Sequence, residues 1–420
     1  MGSYLAKRVR FQNGERISVL RAPNGLPVHE VTLFLGTYRT KGKAANTIHL
    51  VCRSLALLYR FLLSQKIDLL ARLGQGKFLT ISELDRLASS VQYRMDDLDE
   101  DESSEKSNVI NILRISMRRK SVDSTPVTVA VGTQAHRLRY IAKYLEYVSR
   151  YVGATLDDNL LRQQLKVDTA DTLAVFREHI PVVSKRAKLG ARVGLSLDEQ
   201  NRILSIVDPS SPDNPWSRSF VRFRNWLIVV LLLATGMRQG ELLGLQIGDL
   251  GSNSPKLKIL RRADAKSDKR TTQPATKTSD REIELTPAIM KVLWHYINHE
   301  RANIAAARKI PQVIVSDEGE PLSASSIDKL FADVRAACPG LPVTLTSHVM
   351  RHTWNERFSE QADAMGLSDS VEQKARNVQQ GWADNSEQGA AYTRRHTAKK
   401  GREVSLKLQE KLDDKLISKQ

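Results

Sequence analysis

Six side chains in the second half of this chain could together serve an anionic substrate. Arg238 and Glu241 stand three apart in the run 227–245, LIVVLLLATGMRQGELLGL. His348 and Arg351 stand three apart in 346–354, TSHVMRHTW, and Gly381-Trp382 and Ala391-Tyr392-Thr393 follow downstream. Residues three apart at a helix start share a face. The apolar run 227–234 reads as a buried helix, which Gly236 can end because glycine reaches left-handed φ at little cost. A second helix then opens at Arg238, anchored from inside by Leu242, Leu243 and Leu245. A guanidinium on such a platform is rigid enough to grip an anion, and it also needs an anionic partner. A purely structural Arg238–Glu241 pair is the other reading, and this stretch alone leaves both open.

In chain order the set is Arg238, His348, Arg351, Trp382 and Tyr392. That order, Arg…His-x-x-Arg…His/Trp…Tyr, resembles the tyrosine recombinase (phage integrase) family. The phrase ATGMRQGELLGL is similar to the family's first box and SHVMRHTW to its second, and the resemblance runs from about residue 195 onward. It implies that Arg238 and Arg351 neutralise and hold a scissile phosphodiester, bidentately where geometry allows. Their benefit grows as charge develops in the pentacoordinate transition state. It implies Tyr392 as the nucleophile, leaving a covalent phosphotyrosine. A free phenol has a pKa of about 10, so a cationic site and proton transfer through His348 would be needed.

In the family a lysine on a strand hairpin protonates the leaving 5′ hydroxyl. Lys277 is the candidate here, because Thr276-Lys277-Thr278 directly precedes an alternating strand at 281–285; Lys266 and Lys269 lie in the same, unusually long excursion. Trp382 occupies a position the family fills with His or Trp. Its indole N–H can donate to a phosphate but cannot shuttle a proton, and its other reading is packing. The gap from Trp382 to Tyr392 is slightly longer than the family pattern. Glu241 would orient a neighbouring catalytic side chain. Nothing resembles a metal cluster or a phosphate-binding glycine loop, and the scheme calls for no cofactor and no metal, because the phosphotyrosine conserves the bond energy.

Composition points the same way. The chain has 420 residues, enough for two or three domains. Hydrophobic residues make up 41%, enough to bury cores. A formal charge of +17 and a pI near 9.8 point to a polyanion, most simply nucleic acid. The two cysteines, Cys52 and Cys338, have no CxxC partner, which fits a reducing cytosol and argues against a disulfide or zinc framework. The start, MGSYLAKRVRF, lacks the apolar stretch of a signal peptide. The apolar run near Leu227 is shorter than the about 20 residues a membrane span needs. The expectation is a bacterial cytoplasmic protein acting on DNA, with no membrane partner.

The elements that must position the six residues read as mainly α with a small antiparallel β-sheet in the catalytic domain. The expected organisation is a two-domain DNA clamp plus an N-terminal β-hairpin: hairpin or arm 1–30, helical core-binding domain 31–182, basic linker 183–195, catalytic domain 196–420 with a C-terminal docking helix. Asn13-Gly14 predicts a type I′ hairpin turn, either a DNA arm or a cap on the next domain. A basic turn with Lys41 and Lys43 leads into Asn46-Thr47, a good N-cap. The spacing predicts helices at 82–92 and 133–151; Arg137, Arg139 and Lys143 make the second a candidate DNA-groove helix. The acidic stretch 96–105 would face away from phosphate. Lys185, Arg186 and Lys188 make the linker basic, and Ser196 with Glu199 forms a capping box at the catalytic domain's start. Strands are expected at 256–262 and 281–285, and helices at 287–300 and 327–337.

In the tail, 403–420, Val404, Leu408, Leu412 and Leu416 recur at steps of four, with Ile417 beside them. That stripe must be buried on its own domain or elsewhere. The resemblance implies docking on a neighbouring protomer, a dimer on one site and a tetramer in synapse, with an accessory directionality factor as a further partner. The function it implies is a site-specific recombinase or integrase of a mobile genetic element acting on double-stranded DNA. A type IB topoisomerase-like enzyme and a catalytically inactive DNA-binding accessory protein are the alternatives.

Overall fold

The computed structural model describes residues 3–95, 98, 127–182, 193–386, 388–389 and 394–417. The chain divides into two compact units, Met1–Ala187 and Lys188–Gln420. Both are mainly helical, and among the described residues each holds one two-stranded antiparallel sheet.

In the first unit, β1 (Leu5–Arg10) pairs with β2 (Arg16–Arg21), Arg10 opposite Arg16. The turn differs from the expected two-residue form. Gly14 N–H donates to the Phe11 carbonyl (3.0 Å), so Gln12 and Asn13 are the central residues, and Gly14 takes the positive φ (97°) just after them. This is the longer hairpin loop that ends in a left-handed glycine. Alternation along the strands buries Ala6 and Leu20 in one core with helices α1 (His29–Thr40) and α2 (Ala45–Ser64). The hairpin is therefore part of this unit's core. Asn46 does not cap α2, whose N-cap is Ala44; its side chain instead accepts from Arg8 Nη1 on the hairpin (2.6 Å). Helix α2 is long and apolar enough by composition to cross a membrane, but 67% of its most apolar window is buried inside the unit, as a core helix would be.

Around α2 pack α3 (Leu69–Gly74), α4 (Ile81–Ser90), α5 (Val131–Gly153) and α6 (Asn159–Glu178). The hydroxyls of Tyr59 on α2 and Tyr144 on α5 meet at 2.5 Å, and burial pushes both phenols above their usual pKa. Of the acidic stretch 96–105 only Leu98 is described. It is buried, and its carbonyl accepts from Ala6 N–H (2.8 Å).

The second unit begins with the expected capping box: Ser196 and Glu199 bond reciprocally at the start of α7 (Leu197–Val207). Helix α8 (Ser219–Thr235) is the hub. Leu227, Ile228, Leu231 and Leu232 are fully buried there, and Leu242, Val349 and Met350 join the same core. Truncating one such leucine to alanine costs about 2–5 kcal/mol. Helix α9 (Gln239–Gly244) follows, then β3 (Lys256–Ile259) and β4 (Arg281–Glu284), with Ile259 opposite Arg281. The rest is α10 (Pro287–His295), continuing into a π-helical turn at Tyr296–Arg301, then α11 (Ala324–Ala337), α12 (Ser347–Ala364), α13 (Asp369–Gln380) and α14 (Arg394–Ile417).

Candidate active site

The site is built around the turn between α8 and α9. Gly236 caps α8 in the left-handed conformation (φ 61°), as the sequence predicts. That turn presents its carbonyl to α12: Arg351 Nη1 donates to Gly236 O at 2.7 Å. Arg351 is 1% exposed, and its guanidinium lies over the Trp382 ring, 5.2 Å from the centroid. A desolvated cation on an indole face is worth about 2 kcal/mol. Trp382 therefore packs beneath the guanidinium as well as lying next to Gly381 at the end of α13.

Two residues past Gly236, Arg238 opens α9. Its N–H donates to Glu241 Oε2 (3.0 Å) and its Nη1 reaches Glu241 Oε1 (3.3 Å), while a fifth of its side chain, 21%, stays exposed. Glu241 is wholly buried and takes two shorter bonds from outside this helix: Arg281 Nη2 at 2.7 Å and Thr278 Oγ1 at 2.7 Å. Burial alone would raise the pKa of this carboxyl. The hydrogen bond and charge of Arg281, with the Arg238 N–H and Thr278, hold it below the usual carboxylate range instead. The structural pairing and the anchoring of Arg238 are thus one arrangement.

His348 enters from α12. Ser347 Oγ donates to Gln239 Oε1 (3.0 Å), tying the first turn of α12 to that of α9. The exposed His348 ring stands edge-on to the buried His352 ring, centroids 4.9 Å apart.

The excursion between β3 and β4 is fastened at both ends of α9. At the C-terminal end, Arg270 donates to the carbonyls of Leu243 (3.0 Å) and Leu322 (2.7 Å), and Ser267 Oγ lies 3.4 Å from Gln246 Nε2, so Lys266 and Lys269 flank that end. At the N-terminal end, a Cβ on Gly240 would meet Ala275 O at 2.6 Å, so only glycine allows the close approach. Thr278 bonds Glu241, and Ser279 N–H donates to Gly381 O (3.0 Å). Gly381 itself has φ 64°, and a Cβ there would meet Ser279 O at 2.9 Å. Lys277 is exposed in this loop, directly before the anchored Thr278.

The geometry thus brings together Arg238, Glu241, Arg351 and Trp382, with His348 at the adjoining helix start and Lys277 beside Thr278 in the loop bonded to Glu241. Tyr392 lies outside the described residues. Sequence reasoning missed Arg281, which it read only as the start of a strand.

A comparison of the sequence with protein families returns the phage integrase family over residues 195–395. Residues 195–395 form a phage integrase family domain. Over 201 residues the chain is 26% identical to the tyrosine recombinase XerD of Halalkalibacterium halodurans, covering 48% of this chain and 57% of that protein. The match thus spans little more than half the length of that relative. Among solved structures, the chain is similar to XerA recombinase (16% identity, TM-score 0.35, 87% of this chain and 92% of that one). It is similar also to XerH site-specific recombinase bound to palindromic difH substrate (17%, TM-score 0.41, 79% and 85%). A third is the Tn1549 transposon integrase in complex with a circular intermediate DNA (17%, TM-score 0.39, 69% and 91%).

Beyond the integrase domain, the candidate DNA-contact residues divide. Lys41, Lys43, Arg139 and Lys143 are exposed. Arg137 is not: it is 9% exposed and donates to the carbonyls of Val91 (2.6 Å) and Tyr93 (2.8 Å). Its guanidinium holds the end of α4 to α5, so the assignment of Arg137 to DNA is corrected. Lys185, Arg186 and Lys188 lie outside the described residues. In the tail of the second unit, α14 is held to Asp363 of α12 by His396 Nε2 (2.8 Å) and Lys400 Nζ (3.0 Å). Further along, Val404 and Leu408 are 59% and 60% exposed.

Proposed function

We propose that this protein is a site-specific DNA recombinase that cleaves and rejoins strands through a 3′-phosphotyrosyl intermediate at Tyr392, serving as the integrase of a mobile element. The observation that carries the reading is the convergence of Arg238 and Arg351 on the Gly236 turn, with Thr278, the residue after Lys277, bonded to Glu241 of the same short helix. Two positioned guanidiniums neutralise a phosphodiester and stabilise the added charge of its transition state. The Tyr392 oxygen bonds to phosphorus while the bond to the 5′ oxygen breaks. The phenol proton leaves with the help of His348, and the Lys277 ammonium protonates the departing 5′ oxygen. Rejoining runs the same steps backward, with the 5′ hydroxyl as nucleophile.

The charge of +17 suits a duplex partner. Exposed Lys41, Lys43, Arg139 and Lys143 of the first unit, and the basic linker with Lys185, Arg186 and Lys188, contact its phosphates. Val404 and Leu408, exposed on α14, seat on a second copy, so that a dimer occupies one site and a tetramer forms the synapse. The test uses a duplex selected by binding from a random-sequence pool and nicked beside the scissile phosphate, so that cleavage is trapped. The wild type accumulates a covalent protein–DNA adduct; Tyr392→Phe binds the same duplex and forms none. Binding without an adduct in the wild type would leave only a DNA-binding protein.

A further inference from the structure

We infer that Arg281 is a positioning residue that sets Lys277 as the general acid, by knotting the loop before β4 to both sides of the site. This inference rests on the strand-cleavage reading above. Arg281 is the first residue of β4, and its side chain is only 5% exposed. Each of its donors goes to a different element. Nη2 donates to Glu241 Oε2 on α9 at 2.7 Å, Nη1 to Thr278 Oγ1 in the loop at 3.1 Å, and Nε to the Gln379 carbonyl near the end of α13 at 2.8 Å. Thr278 passes the chain of bonds on, its own hydroxyl donating to Glu241 Oε1 at 2.7 Å. One guanidinium therefore fixes three things at once: the carboxylate that orients Arg238, the residue next to Lys277, and the helix end that leads into Gly381-Trp382.

Only a planar fork does this. Lysine presents a point charge on a flexible stem and cannot hold three directions in one plane. The backbone agrees with the side chain. Ser279 N–H donates to Gly381 O at 3.0 Å, and Gly240 and Gly381 lack the Cβ atoms that would push the loop away. Lys277 is left exposed between fixed neighbours, with its ammonium free to reach the leaving oxygen and its backbone held. The other cation on Glu241, Arg238, opens the same helix and cannot substitute, because its hydrogen bonds go to Glu241 and not to the loop.

The experiment separates this role from general support of the fold. Two nicked duplexes are compared, one with the ordinary scissile phosphate and one with sulfur replacing the 5′-bridging oxygen. A thiolate leaves without a proton, since thiol pKa values lie near 8.5, so the sulfur substrate dispenses with the general acid. Single-turnover cleavage is measured for the wild type, Lys277→Ala, Arg281→Gln and Arg281→Lys, with thermal melting of each. Arg281→Gln is expected to lose about 10²-fold on the oxygen substrate, the size of a misplaced catalytic group, and to recover to within about tenfold of wild type on sulfur. Arg281→Lys keeps the charge opposite Glu241, should fold, and should show the same pattern with a smaller oxygen defect. Recovery of Lys277→Ala on sulfur but not of either Arg281 variant would overturn the inference. If Lys277→Ala also fails to recover, the general-acid reading itself falls and the inference with it.

Discussion

Glu241→Gln makes a demanding test of the site's internal structure. The carboxylate is wholly buried and receives four donors on two oxygens: Thr278 Oγ1 at 2.7 Å and Arg238 Nη1 at 3.3 Å on one, Arg281 Nη2 at 2.7 Å and Arg238 N–H at 3.0 Å on the other. An amide of the same shape must turn its NH₂ toward one pair of donors, and it leaves the buried Arg281 without a countercharge. Breaking a buried ion pair from one side costs about 3–5 kcal/mol. For a unit of this size each kcal/mol moves Tm by about 2–4 °C, so a drop of roughly 10 °C is expected by calorimetry at pH 7. The pH dependence has a definite sign. The folded carboxyl titrates below its unfolded value, so its stabilisation is complete above the unfolded pKa and is lost as pH falls through the folded one. The Tm gap between wild type and variant should therefore hold constant from pH 8 to 6 and close as the pH falls below about 4. A Tm change under about 2 °C at pH 7, or a gap that persists unchanged into acid, would refute the tight-pair reasoning.

Three further outcomes follow from the geometry. Gly240→Ala puts a Cβ 2.6 Å from Ala275 O and should slow single-turnover cleavage by displacing the Lys277 loop, at a stability cost of about 1–3 kcal/mol. Gly244→Ala in the same helix meets nothing within 4 Å and should leave cleavage unchanged. On DNA, Arg139→Ala and Lys143→Ala should each reduce the salt slope of binding by about 1. Arg137→Ala should lower Tm by orphaning the buried Val91 carbonyl and breaking the bond to Tyr93 O, and leave that slope alone; titration at several salt concentrations decides. Deleting residues 405–420 should leave Tm and single-site binding intact but abolish cooperative binding to paired sites, seen by native gel shift. A much lower Tm in that truncation would mean the stripe is covered within the same chain.

The parts of this architecture that local signals specify were legible. Gly236 ends the helix that carries the apolar run 227–234, Ser196 and Glu199 cap the helix before it, and the alternation at 281–285 gives a strand. Other features depend on contacts between distant elements. Asn46 has the chemistry of a cap, but its side chain is used by Arg8 from the hairpin. Arg137 could have been suspected, because it shares the stripe of Ile141, Tyr144 and Val148 at helical spacing, a stripe the structure buries. A cation on that stripe must find carbonyls or stretch to water. Arg281 gave no such warning, since Glu241, Thr278 and the Gln379 carbonyl come from three separate places in the chain. The hint lay in Glu241: a carboxylate facing the core beside a half-exposed Arg238 needs a second cation, and the sequence does not say which one.

Tyr392, inside the stretch 195–395 that matches the phage integrase family, is the residue proposed to form the bond to DNA. The most direct measurement traps the adduct on the nicked duplex, digests the protein, and locates the nucleotide-bearing peptide by mass spectrometry. The expected result is a single modified peptide containing Tyr392, joined to a 3′ phosphate, and no adduct from Tyr392→Phe. An adduct on any other residue, or one that survives Tyr392→Phe, would contradict it.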